Sequence, residues 1–287
     1  MVLTTDSVKD GFIPPSLRTA RAITALHRAW FDPVFVGLEQ LDLSRPALWV
    51  GNHTVYAMMD TPLLCAGLLE GGVAVRALGD RGHFRVPLWG QALVRGGMVL
   101  GSPENCAALM ASGQHVLVFP GGGREVMRRK GEAYRLIWKR RTGFARMAIE
   151  QGYDIIPFGS LGPDEALDII ADADDIMQSR LWQWLARRLP LEEMSRHGDM
   201  IPPLVRGLGP TLIPRPERIY FGFGPRISTA HLTGKADDPD TLWSLRETVA
   251  QAIGDRLAYL RELRNADRQT NWSGWRRWLT NTGASGK

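Results

Sequence analysis

The chain has 287 residues, 44% of them hydrophobic, which is enough for one large domain with a sizeable core. Its two cysteines, Cys65 and Cys106, lack the spacing of a redox or zinc motif, so no disulfide framework is predicted and a reducing compartment fits. The net charge is +5, and no apolar stretch reaches the roughly 18 residues of a membrane-spanning helix.

The first part of the chain is predicted to form one amphipathic helix. Residues 1–10 lack the basic and then apolar order of a secretory signal. Ser16 is placed to cap a helix that runs to about Phe31. Three apolar residues recur in it at helical spacing: Ile23, Leu26 and Trp30. This helix either packs on the core or contacts a membrane, and we assign residues 1–43 to an N-terminal helical segment.

Strands and helices then alternate. Strands are predicted at 47–50, 73–77, 97–100, 115–119 and 154–158, and helices at 61–69, 86–95, 103–112 and within 131–151. This alternation is typical of an α/β fold with a mainly parallel sheet covered by helices on both faces. We assign residues 44–265 to this domain. Its active site is expected at the carboxyl ends of the strands.

A histidine follows the first of these strands. His53 stands where an α/β protein would hold a general base, and Asp60 follows seven residues later. On a continuous helix that spacing is about 10 Å, so a direct contact requires a non-helical backbone. Asp60 is either the acid that orients the imidazole or an N-cap for the next helix. Asp80 and Glu125 are the alternative orienting acids, and His83 is a possible pocket residue.

A glycine-rich turn follows a second strand. Gly121, Gly122 and Gly123 permit a close approach of backbone to ligand, and Arg124 and Glu125 come directly after them. These five residues are predicted to bind substrate. Together with His53 they suggest a base beside an anion cradle.

The charge is uneven along the chain. Residues 124–146 hold nine Lys or Arg against two Glu, a local excess of +7 that is larger than the excess of the whole chain. Such a stretch faces phosphates, whether of a coenzyme, an anionic bilayer or a nucleic acid. Residues 163–175 hold six acids and no base, but they lack the spacing of a calcium loop. A solvated helix start is the simpler interpretation, and no metal site is predicted.

The last third is predicted to be a loop over the core at 190–216, a strand at 218–223, and a helix that Asp240 caps. Residues 266–287 form a segment rich in tryptophan and arginine. On a helix, one side of this segment would carry Trp272, Trp275 and Leu279, with Trp278 near its edge. The segment is either docked on the core or lies at a membrane interface.

The order of these motifs resembles the glycerolipid (lysophospholipid) acyltransferase superfamily. Asn52-His53 followed by an acid comes first, then Phe119-Pro120-Gly121-Gly122-Gly123-Arg124, then Ile156-Pro157-Phe158. The glycines and the basic stretch look most like the branch of monoacylglycerol and diacylglycerol acyltransferases. The resemblance covers about residues 47–160.

The resemblance implies an enzyme that moves a fatty acyl group from acyl-CoA, a co-substrate, to a lipid hydroxyl without a cofactor. It places His53 as the base, but the family's acid falls at Met58, which leaves Asp60 as the first choice here. Pro103 stands where the family has an arginine for the acceptor, and Gly121 replaces a glutamate of the phosphate-using members. Both departures favour a neutral acceptor such as a monoacylglycerol, a diacylglycerol or a long-chain alcohol.

Two alternatives remain open at this point: a lysophospholipid acyltransferase of the 1-acylglycerol-3-phosphate type, and a lipid-binding protein without catalysis. The expected partners are acyl-CoA, a lipid acceptor and a membrane surface. No nucleic acid is expected, because no recognised module is present. We expect a cytoplasmic protein, peripheral on the inner face of the membrane.

Overall fold

The computed structural model describes residues 12–281. The expectation about residues 1–10 lies outside this range, as do the last six positions of the C-terminal segment. The side chains of residues 87, 192 and 194 are also outside the description.

Nine strands form two sheets in residues 12–281. They are β1 (Val34–Val36), β2 (Leu48–Gly51), β3 (Val75–Gly79), β4 (Val99–Leu100), β5 (His115–Val118), β6 (Ile155–Leu161), β7 (Asp168–Ala171), β8 (Leu204–Arg206) and β9 (Tyr220–Phe223). The main sheet has the order β1-β9-β6-β2-β5-β3-β4. All its neighbours pair in parallel except β6 and β9. The predicted mainly parallel α/β sheet is therefore confirmed.

Twelve α-helices lie among the described residues. They are α1 (Leu17–Phe31), α2 (Thr61–Glu70), α3 (Pro87–Arg95), α4 (Pro103–Ala111), α5 (Gly123–Val126), α6 (Gly143–Glu150), α7 (Pro163–Ala166), α8 (Ala173–Gln178), α9 (Arg180–Ala186), α10 (Leu191–Met194), α11 (Pro239–Thr270) and α12 (Gly274–Asn281). Short 3-10 turns occupy Leu38–Gln40, Arg81–Arg85 and Ala230–Leu232. Ser16 caps α1 as predicted, by accepting from the Thr19 amide.

Helices cover both faces of the main sheet, because its strands are apolar on both sides. Leu48 and Val50 enter a core cluster with α4, α6 and α11, whereas Trp49 enters a second cluster with α2. Each cluster is buried, so the carboxyl edge of the parallel strands is the place left for a site.

The long helix predicted within 131–151 is wrong in its first half, since only α6 forms. The backbone takes left-handed conformations at Gly131, Tyr134 and Lys139, which end a helix. The buried guanidinium of Arg128 also donates to the carbonyls of Glu132 and Arg135. The basic stretch between α5 and α6 is thus an irregular loop wrapped around one arginine.

The division into three segments stays a prediction, with two structural qualifications. Strand β1, within residues 1–43, is an edge strand of the main sheet. Helix α11 continues unbroken across residue 265, and Asp238 caps it instead of Asp240. The predicted loop at 190–216 also contains α10 and β8.

The predicted apolar side of the C-terminal segment is wrong in one respect. Trp272 is buried and donates from its indole nitrogen to the Tyr220 hydroxyl at 3.0 Å. Arg276 and Thr280 are buried below it, whereas Trp275 and Trp278 face outward. The inner side of α12 is fixed by hydrogen bonds to the core. None of the helices in residues 12–281 has the length and apolar character needed to cross a bilayer.

Candidate active site at the carboxyl edge of the sheet

The end of β2 is tightly fixed. A Cβ on Gly51 would lie 2.3 Å from the Phe158 ring, so no side chain fits there. Asn52 donates to the Ser160 carbonyl at 3.0 Å and accepts from the Ser160 amide at 2.8 Å. This reciprocal pair joins the end of β2 to β6 and holds the next residue, His53, at the rim of the sheet.

His53 is partly exposed, and different residues hold its backbone and its ring. Its amide donates to Glu125 Oε2 at 3.0 Å, and its carbonyl accepts from Arg128. Its ring stacks on Phe119, with centroids 4.0 Å apart and planes within 6°. Among the described residues, the buried Nδ1 atom of His53 has no hydrogen-bond partner.

The imidazole of His53 is neutral at physiological pH. Burial lowers its pKa to about 3, and the positive charge of Arg128 and the nearby His83 act in the same direction. A neutral imidazole is free to accept a proton. The same environment makes the resulting imidazolium costly unless a carboxylate comes close to it.

None of the three candidate acids contacts the His53 ring in this structure. Glu125 uses both oxygens on backbone amides, those of His53 and Ile137. Asp80 accepts from the Gly82 amide and pairs with Arg196 at 3.0 Å.

Asp60 differs from Glu125 and Asp80, each of which has both carboxylate oxygens engaged. Its Oδ2 accepts from the Ser160 hydroxyl at 2.6 Å, while its buried Oδ1 has no partner in the described range. Burial raises the pKa of Asp60, against the opposing effect of the Ser160 hydrogen bond. It precedes α2 without a side-chain capping bond. The backbone before it is non-helical, with left-handed Tyr56 and Ala57.

The glycine-rich turn makes room for a buried carboxylate. A Cβ on Gly121 would lie 2.1 Å from Cδ of Glu125, so the absence of a side chain lets Glu125 reach His53. Burial raises the pKa of Glu125 to about 6, although the His53 amide and Arg128 oppose this. Gly122 has φ +52, and Arg141 donates to the Gly121 carbonyl at 2.7 Å.

A cavity of about 420 Å³ opens beside this turn, a size typical of small-molecule sites. Phe119 lines it and links it to the His53 ring. Its other apolar walls come from Leu48, Leu78, Cys106, Val118, Phe144 and Met147. Gly122, Gly123, Arg124 and Asp80 also line it. His83 instead accepts from the Trp89 indole at 3.2 Å.

Much of the predicted basic excess is neutralised within the protein. Arg124 is paired with Glu132 at 2.6 Å and lies 3.5 Å from Asp199. Arg128, Arg129 and Lys130 pair with carboxylates of the acidic stretch: Asp164, Asp174 and Asp175. The basic stretch and the acidic stretch therefore partly neutralise each other's charge. In the described part of the chain, no cluster of three or more His, Cys, Asp or Glu has a metal-binding arrangement.

Sequence reasoning missed three residues that build this site. Phe119 carries the His53 ring, Arg128 holds its carbonyl, and Asp164 accepts from the Val55 amide at 2.8 Å while lying 3.0 Å from Arg128. Phe119 was part of the predicted motif without a role of its own, and the sequence signal for Arg128 and Asp164 was the charge of the stretches that contain them. Nothing local pairs these residues, which are 36 positions apart.

Comparison with known proteins defines the class. The Acyltransferase family profile matches residues 32–160, the part of the chain that contains the three motifs. The predicted resemblance to the glycerolipid acyltransferase superfamily is therefore confirmed.

Several relatives are similar over most of this chain. Phytyl ester synthase 2, chloroplastic, of Arabidopsis thaliana is 29% identical over 80% of this chain and 34% of its own length. An enzyme of Bos taurus described as DGAT1/2-independent and synthesizing storage lipids is 25% identical over 73% of this chain and 58% of its own length. The chain thus spans about one third of the plant relative.

A solved structure is also similar. The crystal structure of the 1-acyl-sn-glycerophosphate acyltransferase from Thermotoga maritima aligns with 95% of this chain and 86% of that one, at a TM-score of 0.49 and 15% identity.

Proposed function

We propose that this protein transfers a fatty acyl group from acyl-CoA to the hydroxyl of a neutral lipid at a membrane surface, with His53 as general base. The observation that carries the proposal is the neutral, partly exposed imidazole stacked on Phe119, which also lines an apolar cavity of about 420 Å³. A fatty chain in that cavity would hold its thioester near the imidazole.

The step uses one proton. His53 takes the proton of the acceptor hydroxyl as its oxygen attacks the thioester carbonyl, and a tetrahedral intermediate forms. Collapse of the intermediate forms the ester and breaks the bond to sulfur. The coenzyme A thiolate then recovers the proton from the imidazolium, so no acyl-enzyme is needed.

Asp60 is proposed as the acid that stabilises the imidazolium. Of the three candidates it alone keeps an oxygen that no backbone amide or guanidinium engages, with only the Thr54 hydroxyl beside it, while Glu125 and Asp80 are already engaged. A shift of the left-handed turn at Tyr56 and Ala57 would be needed to bring Asp60 to the ring. Asp60→Asn should then lower kcat far more than it raises KM, whereas a purely structural role would predict loss of stability with normal kcat.

A neutral acceptor is favoured by the charges around the cavity. Pro103 lines the cavity where the related motif has an arginine, and Arg124 is already bound to Glu132. An acceptor phosphate would therefore lack these two expected partners. Three other arginines line the cavity and are engaged within the protein: Arg141 by the Gly121 carbonyl, Arg146 by Asp237 and Arg196 by Asp80. The relatives named for phytyl esters and storage lipids are consistent with this choice.

The proposal is tested by coenzyme A release from palmitoyl-CoA with diacylglycerol, hexadecanol and lysophosphatidate offered in parallel. We expect release with the neutral acceptors, and His53→Gln should reduce it by about a thousandfold. His231 is exposed and remote from this cavity, so His231→Gln is the matched control. Full turnover by His53→Gln would refute the base assignment.

The same assay separates the alternatives. A preference for lysophosphatidate would indicate the lysophospholipid enzyme instead. Retention of lipid without turnover of any donor would indicate the lipid-binding protein, an interpretation that the unpartnered His53 Nδ1 atom keeps relevant.

A further inference from the structure

Three parts of the chain that are distant in sequence meet at one surface. The Trp30 indole, near the end of α1, donates to the Pro214 carbonyl at 2.9 Å. Its ring lies 6.2 Å from that of Trp275 on α12. Arg276 then donates to the carbonyls of Trp30 and Pro216, both at 2.7 Å. Helix α1, the 212–216 loop and α12 therefore form one rigid face.

This face exposes large apolar side chains. Leu26 is 76% exposed, Leu212 73% and Trp278 66%. We call it the docking face and define it by Ile23, Leu26, Trp30, Leu212, Ile213, Trp275 and Trp278. A contiguous apolar surface of this kind marks a binding partner or a membrane.

The three segments that form the docking face carry charges of one sign, although Arg21 and Arg28 pair with Glu70 and Arg206 and Arg215 pair with Asp168. Residues 17–31, 204–216 and 268–281 contain no Asp or Glu, although the chain has 30 of them. They contain eight arginines: Arg18, Arg21, Arg28, Arg206, Arg215, Arg268, Arg276 and Arg277. Arg18, Arg206 and Arg277 are exposed. Tryptophan and arginine around an apolar centre match the headgroup region of an anionic bilayer.

The docking face lies at the same edge of the sheet as His53. Val34 pairs with Tyr220, and Tyr220 pairs with Leu161 at the carboxyl end of β6, so α1 ends at that edge. A second cavity, of about 800 Å³, is lined by Arg268 and Thr280 on one side and by Val55 on the other. This cavity extends from α11 and from the inner side of α12, whose outer side belongs to the docking face, to the residue two positions after His53.

We propose that the docking face binds the surface of an anionic lipid bilayer, with Trp275 and Trp278 inserted among the headgroups and Arg277 beside the lipid phosphates. Bound in this way, the protein turns the larger cavity and the His53 edge toward the membrane. This last consequence rests on the proposed acyltransferase function, whereas bilayer binding by the docking face does not.

The test is sedimentation of the full chain with vesicles of phosphatidylcholine, alone or mixed with phosphatidylglycerol in equal parts. Trp275→Asp combined with Trp278→Asp should weaken binding to the mixed vesicles by at least about tenfold. The matched control is Trp243→Asp, since Trp243 is 44% exposed on α11 and is not part of the docking face. Binding by this control should equal that of the parent chain.

A single exposed charge provides a second test that does not alter the apolar surface. Arg277→Glu should weaken binding to the mixed vesicles about tenfold while leaving binding to phosphatidylcholine unchanged. His53→Gln should bind both kinds of vesicle as the parent does. Absence of coenzyme A release from the parent chain, together with normal vesicle binding, would reject the proposed function but keep the docking face.

The docking face is refuted if the double tryptophan variant binds as the parent does, or if Trp243→Asp is equally impaired. Equal binding to both kinds of vesicle would refute the role of the arginines. If the chain does not sediment with vesicles but binds a polynucleotide through Trp275 and Trp278, its partner is a nucleic acid and the proposal is overturned.

Discussion

Gly121→Ala is expected to disturb the candidate active site through Glu125. The added Cβ would lie 2.1 Å from Cδ and 2.5 Å from Oε2 of Glu125, which is fully buried. The carboxylate must therefore move, and the amides of His53 and Ile137 lose their acceptor. Each buried amide without a partner costs about 1–3 kcal/mol, so we expect a loss of about 2–5 kcal/mol in the free energy of unfolding.

The measurement is urea unfolding of Gly121→Ala beside a matched glycine variant. Gly254 lies inside α11, and a Cβ there meets no atom within 4 Å. Gly254→Ala should therefore stabilise the protein by up to about 1 kcal/mol.

A double-mutant cycle tests the mechanism. If Gly121→Ala acts by displacing Glu125, then Glu125→Ala removes the same two hydrogen bonds, and the double variant should cost about as much as Glu125→Ala alone. Additive losses would refute the reasoning, because they would mean that the methyl group acts on something other than the carboxylate.

Three further outcomes are expected. Asn52→Ala should cost about 2–4 kcal/mol of unfolding free energy in denaturant titration, because the buried backbone of Ser160 loses both partners; a loss below about 0.5 kcal/mol would contradict the pairing. The pKa of His53 is about 3 when folded and near 6.5 when unfolded, so acid favours the unfolded chain. Below pH 6.5, the free energy of unfolding of the parent should fall by up to about 1.4 kcal/mol per pH unit relative to that of His53→Gln. Parallel pH profiles of the two proteins would argue against the lowered pKa of His53. Burial raises the pKa of Cys106 to about 11, so its alkylation at pH 8 in a Cys65→Ser background should be slow. Cys106 also lines the cavity proposed for the acyl chain, so palmitoyl-CoA should slow the alkylation further. A rate unaffected by palmitoyl-CoA would place the acyl chain elsewhere.

The order of strands and helices was predictable because it depends on local patterns. The apolar runs of β2 and β5 and the cap at Ser16 act within a few residues, and their predicted places are close to the observed ones. The basic stretch was not predictable in this way. Its helical pattern is overridden by Arg128, whose guanidinium binds carbonyls of the loop and lies beside the distant Asp164.

The candidate active site also has a part that the sequence predicted and a part that it did not. Sequence order placed His53 and the glycine-rich turn at the carboxyl ends of two strands, and the structure pairs these strands, β2 and β5, side by side. It did not reveal that Glu125 occupies the space left by Gly121 or that Phe119 carries the imidazole. These contacts depend on side chains that meet only after the sheet has assembled.

The amino-acid sequence alone determined the α/β alternation, the resemblance to one superfamily, and the position of one histidine after a buried strand. Tertiary structure decided which carboxylate meets which donor, how the basic excess is neutralised, and which tryptophans of the last helix face outward. The physical reason is distance. Hydrophobic periodicity and capping are settled between residues a few positions apart, whereas hydrogen bonds and ion pairs form only between atoms that folding has placed within a few ångströms.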